Sequence, residues 1–273
     1  MEFHKDAIRS ESPDPVILMT ATVSPNGMSL TKLQDAETRK VQYLHAIEHY
    51  LEHTKCKIVF CENTGTDIYD EIKSPEKVER LEYLTFNQNY RKDLGKGYGE
   101  ALIIKYALNN SEFLKHAEYV IKITGRVIIE NIDELLNLTP TSRKILAVEY
   151  SSIIFAVSVC FMAPKYSLLK CASDQIRVCE KNNIDELIEK TLSDTFINSS
   201  DLRITEFFPQ INGISGTSGY PYINEPIFQR KLNHYGVLVL VYKIKKDFFR
   251  RIVAYIKWIY WIIYRKIYIL FSH

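Results

Sequence analysis

Apolar residues along this chain come as short continuous runs that alternate with stretches in helical spacing. Pro15 to Val23 (PVILMTATV) is an apolar run of strand length and stops at the turn residues Ser24-Pro25-Asn26-Gly27. Cys56 to Glu62 (CKIVFCE) repeats the pattern and stops at Asn63-Thr64-Gly65. Leu81 to Phe86 predicts a third, shorter strand, and Tyr119 to Ile123 a fourth, with β-branched and aromatic residues on both sides of the backbone. Behind Asp35, a candidate N-cap, Val41, Leu44, Ile47, Tyr50 and Leu51 follow at three- and four-residue intervals and predict a helix. Ala101 to Leu108 predicts another. Strands alternating with helices imply a layered α/β domain around a largely parallel sheet.

The second half is less regular. Ile145 to Glu149 and Ile153 to Met162 are strand-like runs, and Ile184 to Thr195 predicts a short helix with Leu187, Ile188 and Thr191 along one side. Glu186 and Glu189 lie near its start, where solvated helix-face glutamates are the default. Phe207 to Gly219 is a glycine/serine-rich loop, too long and too particular for a plain connector.

Composition narrows the class. With 46% hydrophobic and 25% charged residues in 273, the chain can bury a sizeable core. The net charge of +2 hides an asymmetry: from Lys243 onward the balance is +7, leaving the body at −5. Ile252 to Phe271 approaches the length of a membrane span, but Lys257, Arg265 and Lys266 each cost roughly 2.5–3.5 kcal/mol at mid-bilayer, which disfavours crossing. Cations beside Trp, Tyr and Ile, with Arg250, Arg251, Lys257, Trp258, Trp261, Arg265 and Lys266 as the contacting set, instead predict an interfacial helix on an anionic membrane; a core helix is the alternative. Bulky aliphatics interleaved with these cations exclude a nucleic-acid groove reader. Five scattered cysteines without CxxC suit a reducing compartment, and the N-terminus lacks the apolar stretch of a secretory signal. The expected organisation is an N-terminal extension (1–14), a catalytic domain (15–242) and a membrane-interface helix (243–273), in a cytoplasmic protein peripheral to the inner face of the plasma membrane.

Candidate chemistry gathers at the ends of the predicted strands. Lys122 and Arg126 bracket Gly125 at the C-terminal edge of the fourth strand, where open α/β sheets bind ligands. Asp93 to Glu100 (DLGKGYGE) places three glycines before a helix, so that backbone amides could face a phosphate beside Lys96 and Gly97. Thr20 and Thr22 stand at the end of the first strand, with ordinary strand threonines as the even alternative. Glu62 and Asn63 end the second and could accept from a base or ribose, or simply cap a turn. HExxH, CxxC and His-rich clusters are missing, as is the Walker spacing. No Asp-x-Asp closes a predicted strand, so no carboxylate pair presents itself for the metal that a diphosphate leaving group normally requires. Fixed cations can do that electrostatic work.

Taken jointly, strand–PNGM, ENTGTD, LGKGYGEALIIKYAL, IKITGR and INGISGTSG, from about Pro15 to Gly219, resemble a family of bacterial capsule and lipopolysaccharide glycosyltransferases with a GT-A-like domain. The resemblance implies an α/β, GT-A-like (Rossmann-like) fold with a mostly parallel sheet flanked by helices, followed by the C-terminal amphipathic helix. It implies a nucleotide-sugar donor seated on Thr20, Thr22, Glu62 and Asn63, with Lys96, Gly97, Lys122 and Arg126 at the diphosphate, and a lipid-linked or growing glycan acceptor. Because Asp-x-Asp is lacking, no metal or other cofactor is expected, although Mg²⁺ or Mn²⁺ stays open. An inverting reaction would need a carboxylate base, with Glu186 the first candidate and Glu206 the second; a retaining reaction stays open too. Two other classes fit the same residues: a sugar nucleotidyltransferase or phosphotransferase using carboxylate-bound Mg²⁺, and a non-catalytic, membrane-docked nucleotide-sugar-binding partner.

Overall fold

The computed structural model describes residues 15–28, 31–87, 91–138, 144–152, 155–199 and 202–271. In order these form β1 (Val16–Ala21), α1 (Ala36–His53), β2 (Ile58–Glu62), α2 (Lys77–Arg80), β3 (Leu81–Thr85), α3 (Gly95–Asn110), α4 (Glu112–Lys115), β4 (Tyr119–Thr124), β5 (Ile128–Ile129), α5 (Asp133–Leu136), β6 (Lys144–Ala147), β7 (Tyr150–Ser152), β8 (Phe155–Ala156), β9 (Cys160–Pro164), α6 (Lys165–Asn182), α7 (Ile188–Asn198), β10 (Leu202–Thr205), β11 (Ile211–Asn212), α8 (Ile227–Ile244) and α9 (Phe248–Phe271). The expected 1–14 extension lies outside the described residues.

Seven strands make the central sheet in the order β10-β6-β9-β4-β1-β2-β3. All neighbours pair in parallel except β9, which runs antiparallel to both β4 and β6. This is the mostly parallel, helix-flanked α/β architecture expected from the sequence. β1 lies inside the sheet between β4 and β2 and is buried along its whole length, because both sheet faces are covered. Its even-facing side chains Val16 and Leu18 pack with α3 and α6 residues such as Ile104 and Cys171, while Ile17 and Met19 pack with Tyr43, Ile47 and Tyr50 of α1. A run that buries alternate residues on opposite sides needs no polar face, which is why PVILMTATV reads as continuous.

Three regions differ from the sequence-based expectation. The glycines of DLGKGYGE are not a loop: after Gly95, held at φ 80°, they form the first turn of α3. A side chain at Gly97 would meet the Glu186 carbonyl at 2.8 Å and the Ile188 amide at 3.0 Å, so this glycine permits close approach of the segment leading into α7. The helix expected over 184–195 begins at Ile188 and reaches Asn198, because Asn183, at φ 51°, ends α6 and Ile184 to Leu187 run on outside any helix. The tail is a helical pair: α8 ends near position 244 and α9 starts at Phe248, with Lys246 at φ 55° in the turn between them, so the expected boundary at 243 falls inside α8.

Two buried features hold α8. Arg230 donates to Glu149 (Nε–Oε1 2.9 Å) and to the Pro209 carbonyl (2.9 Å). One turn on, His234 is fully buried against Tyr150 and Phe208, and that burial pushes its pKa down to about 4, so it is neutral near pH 7. α9 packs on α8 through Ala254, Trp258 and Trp261, and a side chain at Gly236 would touch the Trp258 ring nitrogen at 3.1 Å.

Candidate functional site

The C-terminal ends of β1 and β4 open into a cleft, the position at which open α/β sheets bind ligands. Its lining includes Thr20, Thr22, Arg39, Tyr43, Lys96, Gly97, Glu100, Arg126, Ser158, Glu189, Gly216, Thr217 and Tyr222. Of the residues singled out from sequence, Thr20, Thr22, Lys96, Gly97 and Arg126 are brought together there. Glu62, Asn63, Lys122, Glu186 and Glu206 do not line it.

Each of these five has another partner. Glu62 is fully buried, and its carboxylate accepts from the amides of Val23 (3.0 Å), Thr64 (2.8 Å) and Thr66 (3.0 Å) and from the Thr85 hydroxyl (3.2 Å). It organises the two loops that follow β1 and β2, which is turn capping with no oxygen left for a ribose. Asn63 accepts from the Thr22 hydroxyl at 2.9 Å. Lys122 is 1% exposed beneath the cleft floor, ion-paired with Glu100 and donating to the Ser158 carbonyl at 2.7 Å. Glu186 pairs with Lys190 at 2.8 Å, while its own carbonyl accepts from Gln175 at 2.6 Å. Glu206 lies next to α9: burial opposes its ionisation, yet hydrogen bonds from Lys257 and Tyr235 and the charges of Lys257 and Lys231 outweigh that and hold its carboxyl below the usual range.

Three residues complete the cleft that sequence reasoning passed over. Glu100 accepts from the Thr20 hydroxyl at 3.2 Å and carries Lys122 on the same oxygen. Glu189, read as a solvated helix face, instead points to the cleft and accepts from the Ser158 hydroxyl at 2.7 Å. Arg39, in the first turn of α1, donates through Nε to the Thr22 carbonyl at 2.8 Å and through Nη2 to the Tyr43 hydroxyl at 3.1 Å. A signal for Arg39 did exist in helical spacing, since it lies four residues before the buried Tyr43 and in phase with Tyr50.

The glycine/serine loop closes one side of the cleft. The Ser215 amide donates to the Tyr220 carbonyl (2.8 Å) and the Tyr222 amide to the Gly213 carbonyl (3.0 Å), making a compact turn that β11 ties to β5. Lys96 reaches across to the Thr217 hydroxyl, and Arg126 to the Ile214 carbonyl. The loop is therefore built onto the cations beneath it.

Outside the cleft, α9 turns a wide apolar face away from the body. Phe249, Val253, Ile256, Tyr260, Ile263 and Ile267 recur at helical spacing, and each is at least half exposed. Of the expected membrane-contacting residues, Arg251, Lys257, Arg265 and Lys266 are exposed. Lys257 is held by Glu206 (2.8 Å) and Tyr235 (3.0 Å), Arg250 pairs with Asp247 at 3.3 Å, and both tryptophans face α8. No described helix is long and apolar enough to cross a membrane.

No protein-family model matches the sequence. No curated protein matches it either. Among solved structures, the glycosyltransferase GlyE of Streptococcus pneumoniae in its apo form is similar over 71% of this chain and 45% of its own, with 12% identity and a TM-score of 0.45. The galactosyltransferase LgtC, solved with donor and acceptor sugar analogues, is similar over 70% of this chain and 73% of its own, with 7% identity and a TM-score of 0.44. HddC from Yersinia pseudotuberculosis is similar over 73% and 93%, at 14% identity and a TM-score of 0.38. The chain thus spans less than half of GlyE.

Proposed function

We propose that this chain is a glycosyltransferase that moves a sugar from a nucleotide-sugar donor to a lipid-linked or growing glycan acceptor in bacterial surface-polysaccharide assembly, without a divalent metal. The observation that carries this reading is the cleft at the ends of β1 and β4, whose lining holds Arg126, Lys96 and Glu189 together. Cations that stabilise a departing diphosphate and a carboxylate that takes a proton from an acceptor hydroxyl are the two groups glycosyl transfer needs. Thr20 and Thr22 line the same cleft and can orient the donor. In this reading Lys122 supports the site from below through Glu100.

A thermal-shift screen against UDP-, GDP-, CMP- and dTDP-sugars, each with EDTA and with Mn²⁺, tests it. One nucleotide family is expected to stabilise the protein by about 2.7 kcal/mol at a hundred times Kd, and the shift should persist in EDTA. A protein that no donor stabilises would overturn this reading of the cleft; donor that binds and is never consumed would favour the non-catalytic partner, and activity that disappears on chelation while pyrophosphate is released would favour the nucleotidyl- or phosphotransferase.

The outer face of α9 supports docking on an anionic membrane at the inner face of the plasma membrane, where lipid-linked acceptors are held. α9 contains no acidic residue, and its apolar stripe is bordered by cations, the pattern of a helix lying in the headgroup layer. Flotation with vesicles should show binding that rises with phosphatidylglycerol content and is lost on replacing Ile256 and Ile263 with Ser. Binding that survives this double substitution, or ignores lipid charge, would rule the surface out.

A further inference from the structure

The cleft's lining contains two guanidiniums that no carboxylate pairs among the described residues. Arg39 is 6% exposed and Arg126 7%, and both line the cleft. Their hydrogen bonds go to neutral acceptors: the carbonyls of Thr22 and Leu33 and the Tyr43 hydroxyl for Arg39, the Ile214 carbonyl for Arg126. Among the described residues neither forms an ion pair with a carboxylate. Burial first, and then the charge of Arg39, push the Arg126 pKa down, so the two cations work against each other. A buried, uncompensated cation is strongly unfavourable and two together more so, unless an anion closes the arrangement.

Gly216 lies between them. A side chain there would collide with the Arg126 guanidinium and lie 3.6 Å from Arg39 Nη1. Its carbonyl is already held by the amides of Lys32 (2.8 Å) and Leu33 (3.3 Å). The usual alternative, a divalent cation, meets no donor set among the described residues. β4 closes on Thr124-Gly125-Arg126, Glu100 is engaged by Lys122, and among the described residues no three of His, Cys, Asp and Glu converge.

We infer that Arg39 and Arg126 form a clamp for a diphosphate, each guanidinium taking one phosphoryl group, at the position where a divalent cation would otherwise neutralise it. The inference rests on reading this cleft as the donor site. Planar guanidiniums bind phosphoryl oxygens through paired N–H donors, which suits two adjacent phosphates better than two point charges would. Lys96, anchored on Thr217, adds a third cation at the rim.

Calorimetric titration of the full chain with inorganic pyrophosphate in EDTA tests the clamp. Binding should occur without metal, and Arg39→Gln and Arg126→Gln should each weaken it at least about tenfold. Arg39→Lys and Arg126→Lys, which keep the charge and lose the fork, should fall between wild type and Gln. Pyrophosphate that binds only with Mg²⁺ or Mn²⁺, or equally well to both Gln variants, would overturn the clamp. If the Gln variants do not fold, a pyrophosphate-dependent thermal shift of the wild-type protein in EDTA takes their place, and its absence would overturn the clamp equally. Competition separates the sources of the group: a nucleoside diphosphate displacing pyrophosphate places the donor there, whereas displacement by farnesyl diphosphate alone would place a lipid carrier there and overturn the donor assignment. Pyrophosphate bound at the clamp with no nucleotide sugar ever consumed would sink the transferase reading and leave the clamp standing. Turnover with unchanged diphosphate affinity in both Gln variants would do the reverse.

Discussion

Replacing Lys122 with Met is expected to destabilise the fold by roughly 3 kcal/mol, before any effect on ligand binding. The ammonium is 1% exposed, paired with Glu100 and bonded to the Ser158 carbonyl, so its removal strands a carboxylate on the cleft floor and leaves a buried carbonyl without its donor. Glu100 is 21% exposed, which places the effect at the lower end of what breaking a buried pair usually costs. The double variant Lys122→Met, Glu100→Gln should recover much of the loss, because it removes both charges together. Urea denaturation of the two variants measures this directly. A Lys122→Met protein with the wild-type midpoint but no donor affinity would instead mean that the lysine reaches the ligand, the role its place in IKITGR first suggested.

That contrast marks where sequence stops being informative. The strands were legible because a doubly covered sheet leaves continuous apolar runs, and α1 because Asp35 caps it, accepting from the Thr38 amide at 2.8 Å. Arg126 and Lys96 were legible as cations next to glycines at element ends. Lys122 was legible as chemistry but not as direction: period 2 in a strand says that neighbours face opposite ways, and only the packed helices decide which side is solvent. Its partner Glu100 lies twenty-two positions away in sequence, and no local spacing joins them. α6 and α8 went unread because each mixes buried Ser, Gln, Arg or His with its apolar positions, so that the apolar stripe alone is sparse. Glu186 and Glu189 are three positions apart, but Glu186 precedes α7 and Glu189 lies in its first turn, and the start of α7 after the left-handed Asn183 decides which one reaches the cleft.

Glu189→Gln is therefore expected to lower kcat by about 10²- to 10⁴-fold in an inverting transfer, the range a positioned general base contributes. The substitution keeps the shape of the side chain and an oxygen to accept from Ser158, which is 2.7 Å away in the wild type, so donor affinity should stay within about twofold. One carboxylate oxygen is occupied by that hydroxyl, and among the described residues no hydrogen bond takes the other, which can receive the acceptor proton. Steady-state kinetics with a soluble acceptor, read as kcat against KM, distinguish loss of the base from loss of binding. Glu186→Gln serves as the matched control, because its carboxylate is committed to Lys190 and the Leu187 amide and should not touch turnover. Glu206→Gln should loosen α9, which Lys257 ties to it at 2.8 Å, and show up in stability while the chemistry continues. Should Glu189→Gln turn over normally while Glu186→Gln does not, the proton leaves through the segment before α7 and the cleft has been assigned the wrong carboxylate. Normal rates in all three variants would point to a transfer that uses no protein base, as a retaining reaction can.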